Sequence, residues 1–348
     1  MPLTRLLLLG VLLALLAGCG PQAHRQQSYV FGTLVEITVY GEDEAKARRV
    51  TDQVLKDFDE LHQTLHPWEP GTLERINAIL ALASPEAPAR ASLPPGVLPI
   101  LQDAARLSEL SVGLFNPAIG NLVRLWGFHA DTFEPRLPDP AAIEKLVQAH
   151  PRMSDLRLEG FTLSGTNPAV RIDLGGYAKG YALDLAAAYL KRQGVDNALI
   201  NIGGNVMALG QKGGEPWKVG IQHPRNAGAL AVLELHDGEA IGTSGDYQRF
   251  FEVDGKRYCH LIDPRTGWPA GQAQAVTVIA RGPHAGTLSD VASKPLFIAG
   301  PGEWQRLAAR MGVAEALFVA ADGSISVTRP LNRRLIWENG VPQARVVD

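Results

Sequence analysis

Residues 197–210 read NALINIGGNVMALG, two apolar runs at 197–202 and 205–210 that meet across Gly203-Gly204. A glycine pair between β-prone runs predicts a tight turn and two antiparallel strands. Further along the chain, strands are expected at 217–222, 230–235, 240–244, 247–254, 258–262 and 274–280, with a terminal hairpin at 316–328. Gly238, Asp254-Gly255 and Asp322-Gly323 supply turn signals. Helices are expected from about Thr287 to Ile298 and from Glu303 to Met311. Strands in runs with interspersed helices predict an α+β fold with mixed, largely antiparallel sheets and packed helices.

Towards the N-terminus the pattern becomes helical. A glycine pair at 175–176 precedes a long helix, Tyr177 to Gln193, with Gly194 as its C-cap. Short strands are expected around 156–163 and 169–173. Helices are expected from Asp139-Pro140 to Ala149, from Asn116-Pro117 to Trp126, and over Leu101 to Ser111. Residues 81–99 read as a surface loop. From Asp43 to Leu65, Val50, Val54, Phe58, Leu61 and Leu65 line one helical face, and Pro67 ends the run. Tyr29 to Tyr40 reads as a first strand, and no internal repeat is visible.

The chain has 348 residues, 46% hydrophobic and 20% charged, which suits a large buried core and not a disordered regulator. Its formal net charge is −3, from 33 Lys plus Arg against 36 Asp plus Glu. With neither a basic excess nor a basic stripe, no nucleic-acid partner is expected, although a small nucleotide ligand stays open. Residues 1–18, MPLTRLLLLGVLLALLAG, carry Arg5 and then an apolar run from Leu6 to Leu16. That run is shorter than the roughly 20 residues a membrane span needs, so it reads as an export signal. Leu16-Ala17-Gly18-Cys19 resembles a bacterial lipobox, in which cleavage leaves Cys19 as a lipidated first residue and a membrane anchor. The other reading is a plain cleaved signal with an incidental cysteine. Residues 19–28 are expected to be a tether, and 29–340 a single folded domain with room for two subdomains. Cys259 would remain as a lone thiol, so no internal disulfide is expected.

Chemistry-bearing residues cluster at the glycines. Arg171-Ile172-Asp173-Leu174-Gly175-Gly176-Tyr177-Ala178-Lys179-Gly180 sets an acid, a glycine turn and a lysine at a helix start, a pattern that favours a phosphate. A purely structural strand–turn–helix connection would use similar residues. Asn201 to Asn205 is either an amide-bearing site or a tight β-turn. In the segment from His260 to Gly267, histidine can act as a base near neutral pH, or serve as a hydrogen-bonded structural residue. Arg265 either grips an anion or pairs locally with Asp263. Asp290, near a helix start, is either a cap or a hard ligand for Mg²⁺. No zinc-site spacing, dinucleotide fingerprint, P-loop or G-x-S-x-G occurs.

Taken in order, these motifs resemble one family. They are Phe31-Gly32-Thr33, Trp68, Asn77, Asn116-Pro117-Ala118-Ile119-Gly120 and Leu125-Trp126-Gly127-Phe128, then Asp173 to Gly180, Asn201 to Asn205, Ser244-Gly245-Asp246-Tyr247, His260 to Gly267 and Ser289-Asp290. The sequence is similar, from about Phe31 to Ile336, to the bacterial FAD:protein FMN transferases, once described as thiamine-biosynthesis lipoproteins. The resemblance implies the flavin-transferase fold. It also implies the reaction: FMN passes from FAD to a threonine hydroxyl of a client protein, AMP leaves, and Mg²⁺ engages the pyrophosphate. Implied clients are membrane redox-complex subunits or small FMN-binding domains. The implied location is the periplasmic face of the inner membrane, with Cys19 as anchor.

By the same resemblance His260 is the catalytic base, and Asp290 with the carbonyl of Gly176 holds the metal. Phe31, Trp68, Ala118, Ile119, Gly120, Asp173, Lys179 and Leu261 contact the flavin nucleotide, with Trp68 able to stack on a ring plane. Position 31 is usually methionine in the family, and Cys259 falls at a variable position. One departure stands out. Lys294 replaces a threonine whose hydroxyl joins the metal shell in the family. Four residues after Asp290 on a helix, it is expected to face the same site, contact a pyrophosphate oxygen and leave a metal site with fewer protein ligands. A shell completed by Ser293 or water, partial replacement of the metal by the ammonium, and weak metal binding are the outcomes left open. Competing readings are an FAD pyrophosphatase, a non-catalytic lipid-anchored flavin-binding protein, and a structural lipoprotein.

Overall fold

The computed structural model describes residues 22–130, 132, 134–338, 340 and 343–348. The expected leader at 1–18 and Cys19 lie outside the described residues. In chain order the elements begin with β1 (Ala23–Val30), β2 (Thr33–Tyr40), α1 (Glu44–Leu65), α2 (Thr72–Leu80), β3 (Ala89–Ser92), α3 (Leu98–Leu110), α4 (Gly120–Leu125) and α5 (Pro140–Gln148). There follow β4 (Leu156–Glu159), β5 (Thr162–Gly165), α6 (Ala178–Arg192), β6 (Ala198–Ile202), β7 (Asn205–Leu209), β8 (Trp217–Gln222), β9 (Ala229–Leu235), β10 (Glu239–Gly245), β11 (Phe250–Val253) and β12 (Lys256–Cys259). The chain closes with β13 (Ala273–Arg281), α7 (Ala285–Ala299), α8 (Trp304–Arg310), β14 (Glu315–Ala320), β15 (Ile325–Thr328), α9 (Arg329–Asn332), β16 (Ile336–Trp337) and β17 (Ala344–Val347).

A nine-stranded sheet runs β1-β2-β6-β7-β10-β13-β14-β15-β17. Every pairing in it is antiparallel except β15 with β17. Smaller sheets are β3-β5-β4, β16-β9-β8 and β11-β12. The 197–210 hairpin sits inside the large sheet, with Ile202 opposite Asn205. Gly203 and Gly204 turn with φ of 57° and 91°, a turn that matches strand twist and suits glycine. The α+β, largely antiparallel expectation is therefore met.

The largely buried α7 governs the site. It lies on β10, where a Cβ on Gly242 would come 2.5 Å from the Ser289 carbonyl oxygen. It also crosses α6, where a Cβ on Gly180 would come 2.4 Å from the Gly286 carbonyl oxygen. Asp184 on α6 secures the start of α7: its carboxylate accepts the N–H groups of Gly286 and Thr287, each at 2.8 Å, and the Thr287 hydroxyl at 2.6 Å. Burial pushes the Asp184 carboxyl up from its ordinary value, and these bonds oppose the shift.

Several expectations need correction. Residues 23–28, expected within the tether, belong to β1 and pair with β2. The single strand over 29–40 is a hairpin end turned at Phe31 and Gly32, with φ of 56° and 68°. Phenylalanine is strained in that region, and its ring contacts with Phe58 and His62 offset the strain. Residues 169–173 form no strand, because the backbone there is held by a side chain and a single bridge, Ile119 with Arg171. The loop over 81–99 contains β3, and α2, β16 and β17 were not expected.

The glycine contacts give a stability prediction. Gly242→Ala must push β10 off α7 and is expected to cost about 1–3 kcal/mol. Gly220→Ala on β8, whose added Cβ meets only Ala229 at 3.5 Å, is the control and should stay within about 0.5 kcal/mol. Urea unfolding of both variants measures the difference.

Candidate active site

The first wall of the site is backbone held by a buried amide. Asn77 on α2 takes both backbone groups of Ile172: its Nδ2 donates to the carbonyl at 2.8 Å and its Oδ1 accepts the N–H at 2.7 Å. Beside it, the Arg171 N–H donates to the Ala118 carbonyl at 3.1 Å, and the Gly120 N–H to the Arg171 carbonyl at 2.9 Å. The Asp173 N–H donates to the Pro117 carbonyl at 2.8 Å. Ala118, Ile119, Gly120 and Asp173, far apart in sequence, are thereby set side by side. Trp68 joins them, with the Arg171 guanidinium 4.4 Å above its ring. Arg171 also donates to the Pro67 carbonyl at 2.5 Å, while its buried Nε has no hydrogen-bond partner. From Phe31 a row of rings leads through His62, at 5.5 Å, to His66, 5.0 Å further on.

The second wall is the α6–α7 crossing. Asp290 is 1% exposed, and its Oδ2 accepts the Gly180 N–H at 2.8 Å. Its Oδ1 accepts Lys294 Nζ at 2.5 Å, and the same ammonium donates to the Asp290 carbonyl at 2.7 Å. The Ser293 hydroxyl donates to that carbonyl at 2.9 Å and lies 2.7 Å from the Ser244 hydroxyl. The Lys294 stem lies against Gly176, where a Cβ would come within 3.0 Å of both Cδ and Cε.

His260 follows β12, and its Nδ1 lies 3.2 Å from the Arg249 carbonyl oxygen. Arg249 is anchored by donating to the carbonyls of Phe128 and Ala130 at 3.0 and 2.8 Å. Lost hydration, then the charges of Arg249, Lys179 and Lys294, push the His260 imidazole down to about 3. Burial likewise lowers the Lys179 ammonium, with Lys294 and Arg249 adding to the shift and Asp290 opposing it. Burial raises the Asp173 carboxyl, against the Gly175 N–H at 2.8 Å and the charges of Arg249, His66 and Arg171. These mutual influences put Asp173, Lys179, Arg249, His260, Asp290 and Lys294 in one neighbourhood, with three cationic side chains to two carboxylates. Such a group is suited to a small polyanion.

Leu261 is adjacent in sequence but buried in the core, with its carbonyl accepting the Ala270 N–H at 2.8 Å. Arg265 pairs locally with Asp263 at 2.7 Å. The Cys259 thiol is free and buried, pushed up to about 12 by burial. A depression of about 480 Å³ opens near His62, His66 and Arg75, and none of the residues around Asp290 lines it. Arg249 and Asp184 carried no recognisable pattern in the sequence. Asn77 stood among the motifs without a role, since only the fold shows which backbone it grips.

The donor set does not fit the magnesium ion that the resemblance implies. Both Asp290 carboxylate oxygens and its carbonyl are already engaged, and an ammonium already neutralises that carboxylate. Magnesium requires oxygen donors in near-octahedral array. Among the described residues, no group of three or more His, Cys, Asp or Glu side chains could hold a metal ion.

The ApbE family model matches residues 31–318. An FAD:protein FMN transferase of Rhodobacter capsulatus is 42% identical over 315 residues, covering 90% of this chain and 59% of that protein. The chain thus spans less than two thirds of that relative's length. One from Treponema pallidum is 30% identical, covering 95% of this chain and 97% of that protein. Among solved structures, the ApbE protein of Thermotoga maritima superposes with a TM-score of 0.81 at 29% identity, covering 90% of this chain and 99% of the other. The flavinyl transferase ApbE of Pseudomonas stutzeri gives 0.78 at 30% identity, covering 92% and 98%.

The lowered His260 value fixes the sign of a stability change with pH. The folded state holds the ring neutral down to about 3, while the unfolded chain takes up a proton near the ordinary histidine value of 6.5. The stabilisation is therefore complete above 6.5 and is lost as pH falls through that window. Between pH 7.5 and 5, His260→Gln should lose about 1–2 kcal/mol less stability than the parent, as read by urea unfolding at both pH values.

Proposed function

The chain belongs to the ApbE family, and we propose that it transfers FMN from FAD to a threonine hydroxyl of a client protein, with AMP as the second product. The carrying observation is the α6–α7 crossing, where the Gly180 N–H and the Lys294 ammonium both meet the Asp290 carboxylate, with Lys179, Arg249 and His260 close enough to shift one another's charge. FAD brings a pyrophosphate of two negative charges, and its departure as AMP concentrates further charge on one phosphate. Cations already fixed in place stabilise that development without reorganising.

In this reading the threonine Oγ forms a bond to the phosphorus on the FMN side. The bond from that phosphorus to the bridging oxygen breaks, and that oxygen leaves with AMP. The hydroxyl proton passes to the His260 imidazole and from there to water. A base pushed down to about 3 is weak in the free protein. The pyrophosphate counters the positive charges that depress it, so substrate binding itself raises the basicity of His260. Phe31, Trp68, Ala118, Ile119, Gly120 and Asp173 line the flavin-nucleotide path in this proposal, with Trp68 as the stacking plane and Leu261 behind them in the core. In this proposal magnesium at Asp290 and Gly176 is not used, because both Asp290 carboxylate oxygens are committed.

The proposal extends to location. Residues 1–18 direct export, and lipidated Cys19 holds the body at the periplasmic face of the inner membrane, within reach of membrane redox clients. Among the described residues, no helix is long and apolar enough to cross a membrane.

Intact-mass analysis of an FMN-domain client after incubation with FAD tests the function. An FMN-sized adduct on the client with matching AMP is expected, and His260→Ala should slow it by about 10²–10⁴-fold. AMP formed equally fast without client would show hydrolysis instead.

A further inference from the structure

We propose that the Lys294 ammonium is a built-in substitute for the divalent cation, so that this chain transfers FMN without bound metal. The inference rests on the FMN-transfer reading and concerns how the pyrophosphate charge is met.

Three observations carry it. The first is position: Lys294 Nζ bonds at once to the carboxylate and the carbonyl of Asp290, at 2.5 and 2.7 Å. It thus sits among the oxygens a metal would need. The second is packing. The lysine stem fills the space over Gly176, whose missing side chain is what makes room for Cδ and Cε. Gly176 and Lys294 therefore fit each other as a pair, and the lysine side chain is only 15% exposed. The third is electrostatic. The Asp290 carboxylate has its other oxygen held by the Gly180 N–H and its charge matched by the ammonium. A dication entering here would have to expel that ammonium and shed tightly held water.

A tethered ammonium differs from magnesium in kind. It brings one charge, no open coordination position and three N–H donors. Two of those donors are used on Asp290, so one remains to meet a phosphate oxygen. The deficit of charge is made up by Lys179 and Arg249, which already influence the same histidine.

Manganese binding followed by electron paramagnetic resonance, with and without FAD, gives a readout independent of turnover. The parent protein is expected to bind no Mn²⁺ in either state, and its transfer rate should change less than about twofold between EDTA and millimolar Mg²⁺. Lys294→Thr restores a hydroxyl and vacates the space, so it should gain an Mn²⁺ site. It should also lose about a hundredfold in rate in EDTA and recover with metal. Lys294→Met keeps the stem without the charge and should show the same EDTA loss, guarding against a folding defect of the threonine variant. Stoichiometric Mn²⁺ binding by the parent, or a tenfold or larger rate loss in EDTA, overturns the inference. Those parent measurements decide it without either variant. If no FMN reaches any client under any condition, the transfer reading fails, while Mn²⁺ binding still decides what occupies Asp290.

Discussion

The hydrogen bond from the Gly180 backbone to the Asp290 carboxylate is the constraint on which the site depends. It joins the first turn of one helix to the middle of another, at a crossing close enough to need glycine at both 180 and 286. A buried carboxylate left without partners is costly, so this oxygen and the one on Lys294 hold each other's geometry. Through the crossing, the turn carrying Gly176 and Lys179 is brought against the helix carrying Asp290 and Lys294. The seating of α7 on β10 at Gly242 then ties this junction to the large sheet.

Electrostatics follows from that geometry. Packing strips water from Lys179, His260 and Asp173 together, and each shifts towards its neutral form. Lys294 is paired with Asp290, while Lys179 and Arg249 add further positive charge beside His260, which a pyrophosphate would offset in the proposed reaction. In the proposed reaction, the same arrangement that weakens His260 as a base before substrate arrives strengthens it afterwards. Under that proposal binding and proton transfer are coupled, and a water molecule entering without FAD would meet a poor base.

Much of the fold was legible because its signals are local. The Gly203-Gly204 turn, the helical face from Val50 to Leu65, and the terminal hairpin each declare themselves within a few residues. The failures share a cause in distant contacts. Phe31 turns in a region phenylalanine avoids because Phe58 and His62 receive its ring. Residues 169–173 look like a strand, yet Asn77, from a helix the sequence did not reveal, occupies the Ile172 hydrogen bonds. At the site, helical spacing placed Lys294 on the face of Asp290, but spacing says nothing about which oxygens an ammonium chooses. Arg249 was invisible for the same reason: its role comes from what lies beside His260, not from any pattern around it.

The pairing of Gly176 with Lys294 shows how one substitution changes a site while leaving its scaffold intact. Threonine at 294 would leave Asp290 short of a charge partner and open a space beside the Gly176 carbonyl. Lysine closes both at once, with its stem seated in the space that Gly176 leaves free. Its stem is anchored by packing and its head by two oxygens of a single residue, so the charge is fixed before any ligand arrives. That is the requirement for electrostatic stabilisation of a developing phosphate charge. A metal ion would meet it by binding. Here the covalent chain meets it by folding, and the Asp290 carboxylate serves as the mount for a charge carried within the protein.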